Sequence, residues 1–207
     1  MARIGILGGT FNPPHRGHLA LARHARQELS LECVLLMPAG MPPHKPGGED
    51  PGPEHRLAMV RLAAGSEPGV CACPLEIRRS GPSYTADTLS EIHDRHPEAE
   101  LTFIVGADTA RTMPSWHRPQ DVLELAELAV AARTGTDREQ VLAALETAAG
   151  TGPGPRVRFL AMAPIEASSS AARELIAAGA DAAGMLGPDV SAYVAEHGLY
   201  RYAKEER

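Results

Sequence analysis

Short runs of Val, Ile, Leu and other apolar residues recur along the chain, and each has the length and composition of a buried β-strand. They cover residues 3–7, 33–37, 70–75, 101–105, 128–132 and 157–162. Segments with helical periodicity separate them, at residues 18–29, 53–64, 85–96, 119–125 and 137–149. Strand and helix therefore alternate, and this alternation predicts a parallel sheet with helices on both faces.

The pattern predicts one α/β domain, a doubly wound, Rossmann-like parallel sheet followed by a helical C-terminal part. At 207 residues the chain has the length of a single domain. We assign residues 1–165 to the α/β core and residues 166–207 to the C-terminal part, where periodicity predicts helices over 169–178 and 188–196. Residues 41–53 form a long connection rich in Pro and Gly, and such loops in α/β proteins often carry binding groups.

Charge and cysteine content narrow the classes of function. The chain has 20 Lys and Arg against 26 Asp and Glu, a net charge of -6. Since it has no basic run, we expect no nucleic-acid partner. The apolar start is too short for a signal peptide and no stretch is long enough to span a bilayer, so we expect a cytoplasmic protein with no membrane partner. Cys33, Cys71 and Cys73 are too few for a disulfide framework and are predicted to be reduced and mostly buried.

The stretch GGTFNPPHRGHL follows the first predicted strand directly. Gly8 and Gly9 therefore lie at the carboxyl edge of the sheet, where such folds bind ligands. Glycines there let backbone N–H groups approach a phosphate, and the next helix adds partial positive charge at its N-terminus. The stretch has neither the GxGxxG spacing nor the GK[ST] of the common phosphate loops. It predicts an anion cradle of a different kind.

Two histidines follow this glycine pair, three residues apart. His15 and His18 should project to the same side of the first helix. Taken alone, either one is typical of a helix cap or a surface position. As a pair behind a glycine turn, they indicate two hydrogen-bond donors aimed at phosphate oxygens.

The H-x-G-H motif after GGTFNPP resembles the nucleotidyltransferase superfamily and, within it, the bacterial nicotinate-nucleotide adenylyltransferases. The resemblance covers nearly the whole chain, since further motifs occur in order: MPAGMPPHK, PSYTADTL, FIVGADT, SWHRPQDVL and SSSAAREL. The C-terminal motif departs from the family's usual ISSTxIR. This chain reads ASSSAAR, with Ala167 and Ala172 in place of isoleucines and Ser170 in place of threonine, while Ser169 and Arg173 remain.

The resemblance implies transfer of AMP from ATP to nicotinate mononucleotide, giving nicotinate adenine dinucleotide and pyrophosphate in NAD biosynthesis. Such a transfer needs positioned phosphates and charge stabilisation rather than a nucleophilic side chain. The implied catalytic residues are His15, His18 and Arg173. Mg²⁺ is expected as cofactor, held mainly by the ATP phosphates and water, with no protein metal site.

The resemblance also assigns the nucleotide and acceptor contacts. The residues implied for ATP are Gly8, Gly9, Thr10, Phe11, His15, His18, Gly106, Asp108, Arg133, Ser169 and Arg173. Those implied for nicotinate mononucleotide are His44, Lys45, Thr85, Ala86, Trp116 and His117, with Trp116 stacking on the pyridine ring. Asp108 would accept hydrogen bonds from ribose hydroxyls, and its position is equally that of a helix N-cap. His44 and Lys45 fit a solvated loop as well as a phosphate contact.

Other readings stay open at this stage. A pantetheine-phosphate adenylyltransferase belongs to the same superfamily but gives no reason for PSYTADTL and SWHRPQ together. A binding module that senses ATP without turning it over would not need both histidines, Ser169 and Arg173. A dinucleotide-dependent dehydrogenase is disfavoured because its glycine fingerprint is missing. Assembly into a homo-oligomer is possible and the sequence does not decide it.

Overall fold

The computed structural model of the chain describes residues 1–43, 49–132, 135–152, 154–162 and 166–201. Over these residues, six strands form one sheet in which every neighbouring pair is parallel, in the order β3-β2-β1-β4-β5-β6. The strands are β1 (Arg3–Gly9), β2 (Cys33–Pro38), β3 (Val70–Ala72), β4 (Glu100–Gly106), β5 (Ala126–Ala132) and β6 (Val157–Ala161). The predicted parallel α/β fold is confirmed.

Helices connect these strands and follow the last one. They are α1 (Arg16–Glu28), α2 (Pro53–Gly65), α3 (Leu75–Arg78), α4 (Thr85–Arg95), α5 (Ala107–Arg111), α6 (Pro119–Leu125), α7 (Arg138–Ala149), α8 (Ser169–Ala177), α9 (Ala183–Leu186) and α10 (Pro188–Glu196), with a 3₁₀ turn at Met113–Ser115. Each of the predicted helices is present within two residues of its predicted ends. The first begins at Arg16 rather than at residue 18, because His15 takes the N-cap position.

The predicted third strand, at residues 70–75, is too long. Strand β3 ends at Ala72, and Leu75 begins α3. Pro74 lies between them, and its backbone, with φ -85° and ψ 11°, has left the extended conformation of a strand and forms the N-cap of α3. Three other short elements, α5, the 3₁₀ turn and α9, were not predicted, because one turn of helix is too short to show a periodicity.

Alternate residues of the strands pack on opposite faces of the sheet, which explains their continuous apolar runs. One cluster of buried side chains includes Phe103 of β4 with Leu89 of α4 and residues of α6 and α7. The opposite cluster includes Ile104 of β4 with Ala25 of α1 and residues of α2. Helices therefore cover both faces, as the sequence predicts.

A third buried cluster joins the C-terminal helices to the outer side of α2. Met59 and Ala63 of α2 pack against residues of α8, α9 and α10, and against Tyr200 beyond them. The C-terminal part is therefore packed on the α/β core and reaches the loop that follows β1. None of the helices in the described ranges has the length and apolar character needed to cross a membrane.

The strand order places a crevice at the carboxyl ends of β1 and β4. The chain leaves β1 toward β2 and β3 and later returns to β4 on the other side of β1. Connections diverge at this point, and open parallel sheets bind ligands in the crevice that results. β1 ends at Gly9 and β4 ends at Gly106, so both predicted glycine sites flank it.

The cysteines are free but less buried than predicted. Cys71 is exposed, and Cys33 and Cys73 are half-buried. Cys71 lies on β3, the edge strand of the sheet, and Cys33 lies on the neighbouring strand β2. Desolvation still raises the pKa of Cys33 and of Cys73 above the usual value.

Candidate active site

The loop between β1 and α1 departs from the predicted glycine turn. Gly8 and Gly9 are the last two residues of β1, paired with Met37 and Pro38 of β2. The left-handed backbone of the loop occurs at Phe11, with φ 52°. Such a conformation is uncommon for an aromatic residue, and the nearly complete burial of the ring, 2% exposed, offsets its cost. Phe11 therefore supports the loop by packing, while Gly8 stays open to solvent.

His15 and His18 lie together at the start of α1, as the sequence predicts. Their rings stack with centroids 3.7 Å apart. The backbone N–H of His15 donates to Nδ1 of His18 at 3.2 Å. The ring of Phe11 lies 4.7 Å from that of His18 and covers its other side. The two imidazoles thus form one packed unit at the mouth of the crevice.

Gly17 is required between the two histidines. A Cβ at this position would lie 2.9 Å from Nδ1 and 3.0 Å from Cε1 of His15. Any side chain at residue 17 would therefore push the His15 ring from its place. This close approach explains in physical terms why the motif reads H-x-G-H.

Burial keeps both imidazoles neutral at pH 7. Desolvation lowers the pKa of His15 to about 4. Desolvation, together with the neighbouring His15, lowers the pKa of His18 to about 3. A neutral imidazole has one N–H, and since Nδ1 of His18 accepts a hydrogen bond, the proton is on Nε2. His18 is therefore a neutral donor through Nε2.

Nδ1 of His15 is a second polar atom of interest. Within the described part of the chain, it is buried and has no hydrogen-bond partner. Buried polar atoms are nearly always paired, and an orphan in a crevice indicates a place for water or a ligand. The neutral Nε2–H donor of His18 lies beside this unpaired nitrogen. This end of α1 is therefore suited to bind an anion or an uncharged group that accepts hydrogen bonds.

Ser169 and Arg173 of α8 contact the same loop from the other side. The Ser169 hydroxyl donates to the carbonyl of Pro13 at 2.8 Å. Nη1 of Arg173 donates to the carbonyl of Asn12 at 2.7 Å, and its Nη2 lies 3.3 Å from Oγ of Ser170. The altered ASSSAAR motif thus still brings both residues to the loop before His15. Their predicted contact with phosphate stays a prediction.

Arg56 of α2 supports the crevice and was not found from the sequence. Its side chain is fully buried, and Nε pairs with Asp50 at 3.0 Å. Nη1 donates to the carbonyls of Thr10 at 3.0 Å and Ala39 at 2.6 Å. One guanidinium therefore holds the loops that follow β1 and β2. The signal in the sequence was a basic residue on the otherwise apolar, buried face of a predicted helix.

Gly106 and Asp108 lie across the crevice, at the end of β4. Gly106 is the N-cap of α5, and a Cβ there would meet nothing within 4 Å, so the space beside it is open. Asp108 lies in the first turn of α5 rather than at its N-cap. Its carboxylate is exposed and pairs with Arg111 at 2.5 Å. An exposed carboxylate at this edge is free to exchange that partner for ribose hydroxyls.

The two segments predicted for the acceptor lie against each other. The rings of Tyr84 and His117 stack with centroids 4.3 Å apart. Arg118 pairs with Asp87 of α4 and with Asp121 of α6, the latter at 3.2 Å. Thr85 and Ala86 begin α4 directly after Tyr84, so the backbone N–H groups of its first turn point toward this junction. Tyr84, Asp87 and Arg118 were not identified from the sequence.

Trp116 follows the 3₁₀ turn and is half-buried. Its ring meets Phe103 edge-on, with centroids 6.0 Å apart, and Nε1 donates to the Thr112 hydroxyl at 3.0 Å. These contacts fix the plane of the indole and leave part of it exposed. An indole held this way can stack on a flat ring, which is the role that the resemblance implies for it.

Beneath the acceptor segments lies a buried hydrogen-bond network. Glu76 of α3 accepts from the Thr88 hydroxyl at 2.7 Å, and burial raises the pKa of its carboxyl. Oγ of Ser83 accepts from the N–H of Gly40 at 2.9 Å. Arg79 donates to Thr88 at 2.9 Å. The network ties the start of α4 to the loop after β2 and so to the crevice.

Three residues predicted for the site, His44, Lys45 and Arg133, lie outside the described residues. In the sequence, His44 and Lys45 come after the residues of β2, and Arg133 comes directly after Ala132. Their predicted contacts with the acceptor and with ATP stay predictions.

Comparison with known proteins identifies the relatives of this chain. The cytidylyltransferase-like family model matches residues 6–175. The chain is 40% identical over 203 residues to a probable nicotinate-nucleotide adenylyltransferase of Thermomicrobium roseum, covering 97% of this chain and 92% of that protein. It is 41% identical over 210 residues to a protein of the same name from Aeromonas salmonicida, covering 97% and 98%.

Among solved structures, the fold is similar to that of Plasmodium falciparum nicotinic acid mononucleotide adenylyltransferase complexed with NaAD. The TM-score is 0.78 at 18% identity, and the match covers 97% of this chain and 98% of that one. At this identity the likeness supports the fold, and the sequence relatives support the family.

Proposed function

This chain belongs to the cytidylyltransferase-like family, among the nicotinate-nucleotide adenylyltransferases, and from that premise we propose that it transfers AMP from ATP to nicotinate mononucleotide. The products are nicotinate adenine dinucleotide and pyrophosphate. The observation that carries the proposal is the stacked pair of neutral histidines, His15 and His18, at the crevice between β1 and β4.

The reaction exchanges one phosphate bond for another. A phosphate oxygen of nicotinate mononucleotide attacks the α-phosphorus of ATP, and the bond from that phosphorus to the oxygen bridging it to the β-phosphorus breaks. The electron pair leaves with pyrophosphate. No side chain needs to form a covalent bond, so the work of the protein is to align the two phosphates and to stabilise the charge that develops.

The histidine pair meets this requirement. Nε2–H of His18 is a donor that carries no charge of its own, and it would contact an oxygen of the α-phosphate. His15 would contact the neighbouring phosphates from the same helix N-terminus, where the first-turn N–H groups and the helix dipole also favour an anion. A donor held in place before the charge develops lowers the barrier without reorganisation.

Adenosine and the acceptor would occupy opposite ends of the crevice. Asp108 would accept hydrogen bonds from the ribose hydroxyls, with Gly106 leaving room for the nucleotide. Trp116 would stack on the pyridine ring, and the N–H groups near Thr85, Ala86 and His117 would donate to its carboxylate. The ion pair of Asp87 with Arg118 holds these two acceptor segments together.

Mg²⁺ belongs to the same proposal. Among the described residues, no group of three or more His, Cys, Asp and Glu side chains is placed to hold a metal ion. The donors of the crevice are imidazole and backbone N–H groups, which suit phosphate oxygens rather than a hard cation. These residues fit an ion that arrives on the triphosphate, where it would shield the negative charge.

A cytoplasmic location also belongs to the proposal, because both substrates are anionic phosphates that do not cross bilayers unaided. Homo-oligomer formation stays a prediction, to be tested by light scattering on the purified protein.

Pyrophosphate release tests the proposal. The purified protein is incubated with ATP and Mg²⁺ and, in separate reactions, with nicotinate mononucleotide, nicotinamide mononucleotide, phosphopantetheine or no acceptor. Release with nicotinate mononucleotide, together with formation of the dinucleotide, is the expected result. Release only with phosphopantetheine would indicate the other adenylyltransferase, and ATP binding without any release would indicate a nucleotide sensor. Either outcome would reject the proposal.

A further inference from the structure

The end of the chain returns to the loop that precedes the histidine pair. Helix α10 ends in a Schellman motif, in which Leu199 N–H donates to the carbonyl of Val194 at 3.0 Å and Gly198 N–H to that of Ala195 at 3.3 Å. Gly198 has φ 60°, the left-handed conformation that glycine adopts without strain. This turn reverses the chain and directs Tyr200 back toward the core.

Tyr200 is anchored both by packing and by its hydroxyl. The residue is 2% exposed and belongs to the cluster that contains Met59 of α2 and Ala172 of α8. Phenylalanine would fill the same space in this cluster without a hydroxyl. A buried hydroxyl lowers stability unless it has a hydrogen-bond partner. The Tyr200 hydroxyl lies 2.8 Å from Oδ1 of Asn12.

Asn12 is held in one orientation by two partners. Its side chain is part of a residue only 3% exposed, and Nδ2 donates to the carbonyl of Glu49 at 2.8 Å. A carbonyl can only accept, so the NH₂ group must face Glu49 and Oδ1 must face Tyr200. Tyr200 is therefore the donor in its hydrogen bond with Asn12.

The same residue carries the carbonyl that Arg173 contacts. Nη1 of Arg173 donates to the Asn12 carbonyl at 2.7 Å, and Ser169 donates to the next carbonyl, that of Pro13. The loop then continues through Pro14 to His15. The position of Asn12 thus sets both the place of the Arg173 guanidinium and the path of the chain into the histidine pair.

We propose that Tyr200 is a positioning residue for the triphosphate site, acting through its hydroxyl on Asn12 and so on Arg173 and His15. The inference rests on the proposed use of ATP. It adds the turn at residues 198–200, which follows α10, to the structures that support the proposed phosphate site. Tyr200 itself need not touch the nucleotide.

The test compares Tyr200→Phe with Tyr193→Phe. Tyr193 lies on α10, and its hydroxyl meets Nδ1 of His55 on α2 at 2.9 Å instead of the Asn12 side chain. Both variants remove one hydrogen-bonded hydroxyl and keep a ring. Tyr200→Phe is expected to raise both the Kd of ATP, measured by calorimetry, and its KM about tenfold, because Asn12 Oδ1 loses its donor. The KM of nicotinate mononucleotide is expected to change less than about twofold. Tyr193→Phe is expected to change neither.

A double-mutant cycle separates positioning from general damage. If Tyr200 acts through Asn12, the double variant Asn12→Ala/Tyr200→Phe should bind ATP no more weakly than Asn12→Ala alone. If Tyr200→Phe fails to fold, the same comparison is made with Asn12→Ala. Its KM for ATP should then rise more than its KM for nicotinate mononucleotide. Melting temperatures are measured for every variant, and assays are run well below them.

The possible failures are distinguishable. Unchanged ATP affinity in Tyr200→Phe, equal increases in KM for both substrates, or additive effects in the cycle would overturn the inference while wild-type turnover stands. A wild-type protein that binds no ATP would overturn the proposed function and the inference with it.

Discussion

The backbone N–H of His15 donates to Nδ1 of His18 while the two imidazole rings stack 3.7 Å apart. This arrangement decides which nitrogen of His18 carries its proton, and it makes the position of each ring depend on the other. Gly17 permits this stacking because it has no side chain. A Cβ on Gly17 would lie 2.9 Å from Nδ1 of His15.

Substituting Gly17 should therefore impair the site without unfolding the protein. In Gly17→Ala, the added methyl group displaces the His15 ring, and we expect kcat/KM for ATP to fall about tenfold or more, since small misplacements at a reacting centre are costly. The matched control is Gly65→Ala at the end of α2, where a Cβ would meet nothing within 4 Å. Equal kinetics for the two variants would contradict the role given to the His15 ring.

His18→Ala should leave the fold intact and remove most turnover. The variant lacks the neutral Nε2–H donor, and loss of one such preorganised donor typically costs on the order of a hundredfold in kcat. His24→Ala, on the same helix but paired with Glu28, is the control and should keep wild-type rates. Circular dichroism and melting temperature establish folding. Near-normal kcat in folded His18→Ala would show that this residue is not catalytic.

The histidine pair should also make stability depend on pH. The pKa of His18 is lowered to about 3 and that of His15 to about 4, whereas a histidine in the unfolded chain titrates near 6.5. Between these values the unfolded chain binds protons that the folded protein does not. The free energy of unfolding should therefore fall as pH falls below about 6.5.

Urea unfolding at several pH values measures this effect. For each histidine the slope is at most about 1.4 kcal/mol per pH unit. His18→Asn cannot titrate in this range, so its stability should fall less steeply than that of the wild type between about pH 6.5 and 4. Parallel curves for the two proteins would show that His18 is not held neutral by the fold.

Sequence patterns were sufficient for the sheet and for the histidine pair, but not for the residues that hold the loops. The strands and helices follow from local periodicity, and His15 and His18 are neighbours because they are three positions apart, at the N-cap and in the first turn of α1. Arg56 and Tyr200 act across separations of 46 and 188 residues in the chain, on Thr10 and Asn12 respectively. Such contacts depend on tertiary packing, which one sequence does not reveal.

Chelation of metal should stop turnover without affecting the free protein. If Mg²⁺ is carried by the triphosphate, excess EDTA should abolish pyrophosphate release, and adding Mg²⁺ should restore it. The melting temperature of the nucleotide-free protein should be the same with Mg²⁺ or with EDTA, because binding to the native state would raise it. A clear increase with Mg²⁺ alone would indicate a protein-held metal site instead.

The acceptor site should distinguish nicotinate from nicotinamide mononucleotide. Trp116 can stack on either ring, so selectivity must come from the N–H groups near Thr85, Ala86 and His117, which only donate. A carboxylate accepts from such donors through both oxygens, whereas a carboxamide turns its NH₂ toward one of them and leaves that donor unpaired. An unpaired buried polar group costs ~1–3 kcal/mol and the lost charge-assisted bond adds to it, so kcat/KM should favour the acid by roughly a hundredfold or more.

Variants of Trp116 separate stacking from selectivity. Trp116→Ala should raise KM for both mononucleotides without reversing the preference, and Trp116→Phe, which keeps an aromatic face, should raise it less. The KM of ATP serves as the internal control and should not change, because Trp116 is proposed to contact the pyridine ring of the acceptor and not ATP. Comparable kcat/KM values for the two mononucleotides in the wild type would show that the N–H groups of α4 do not read the carboxylate, even if adenylyl transfer itself is observed.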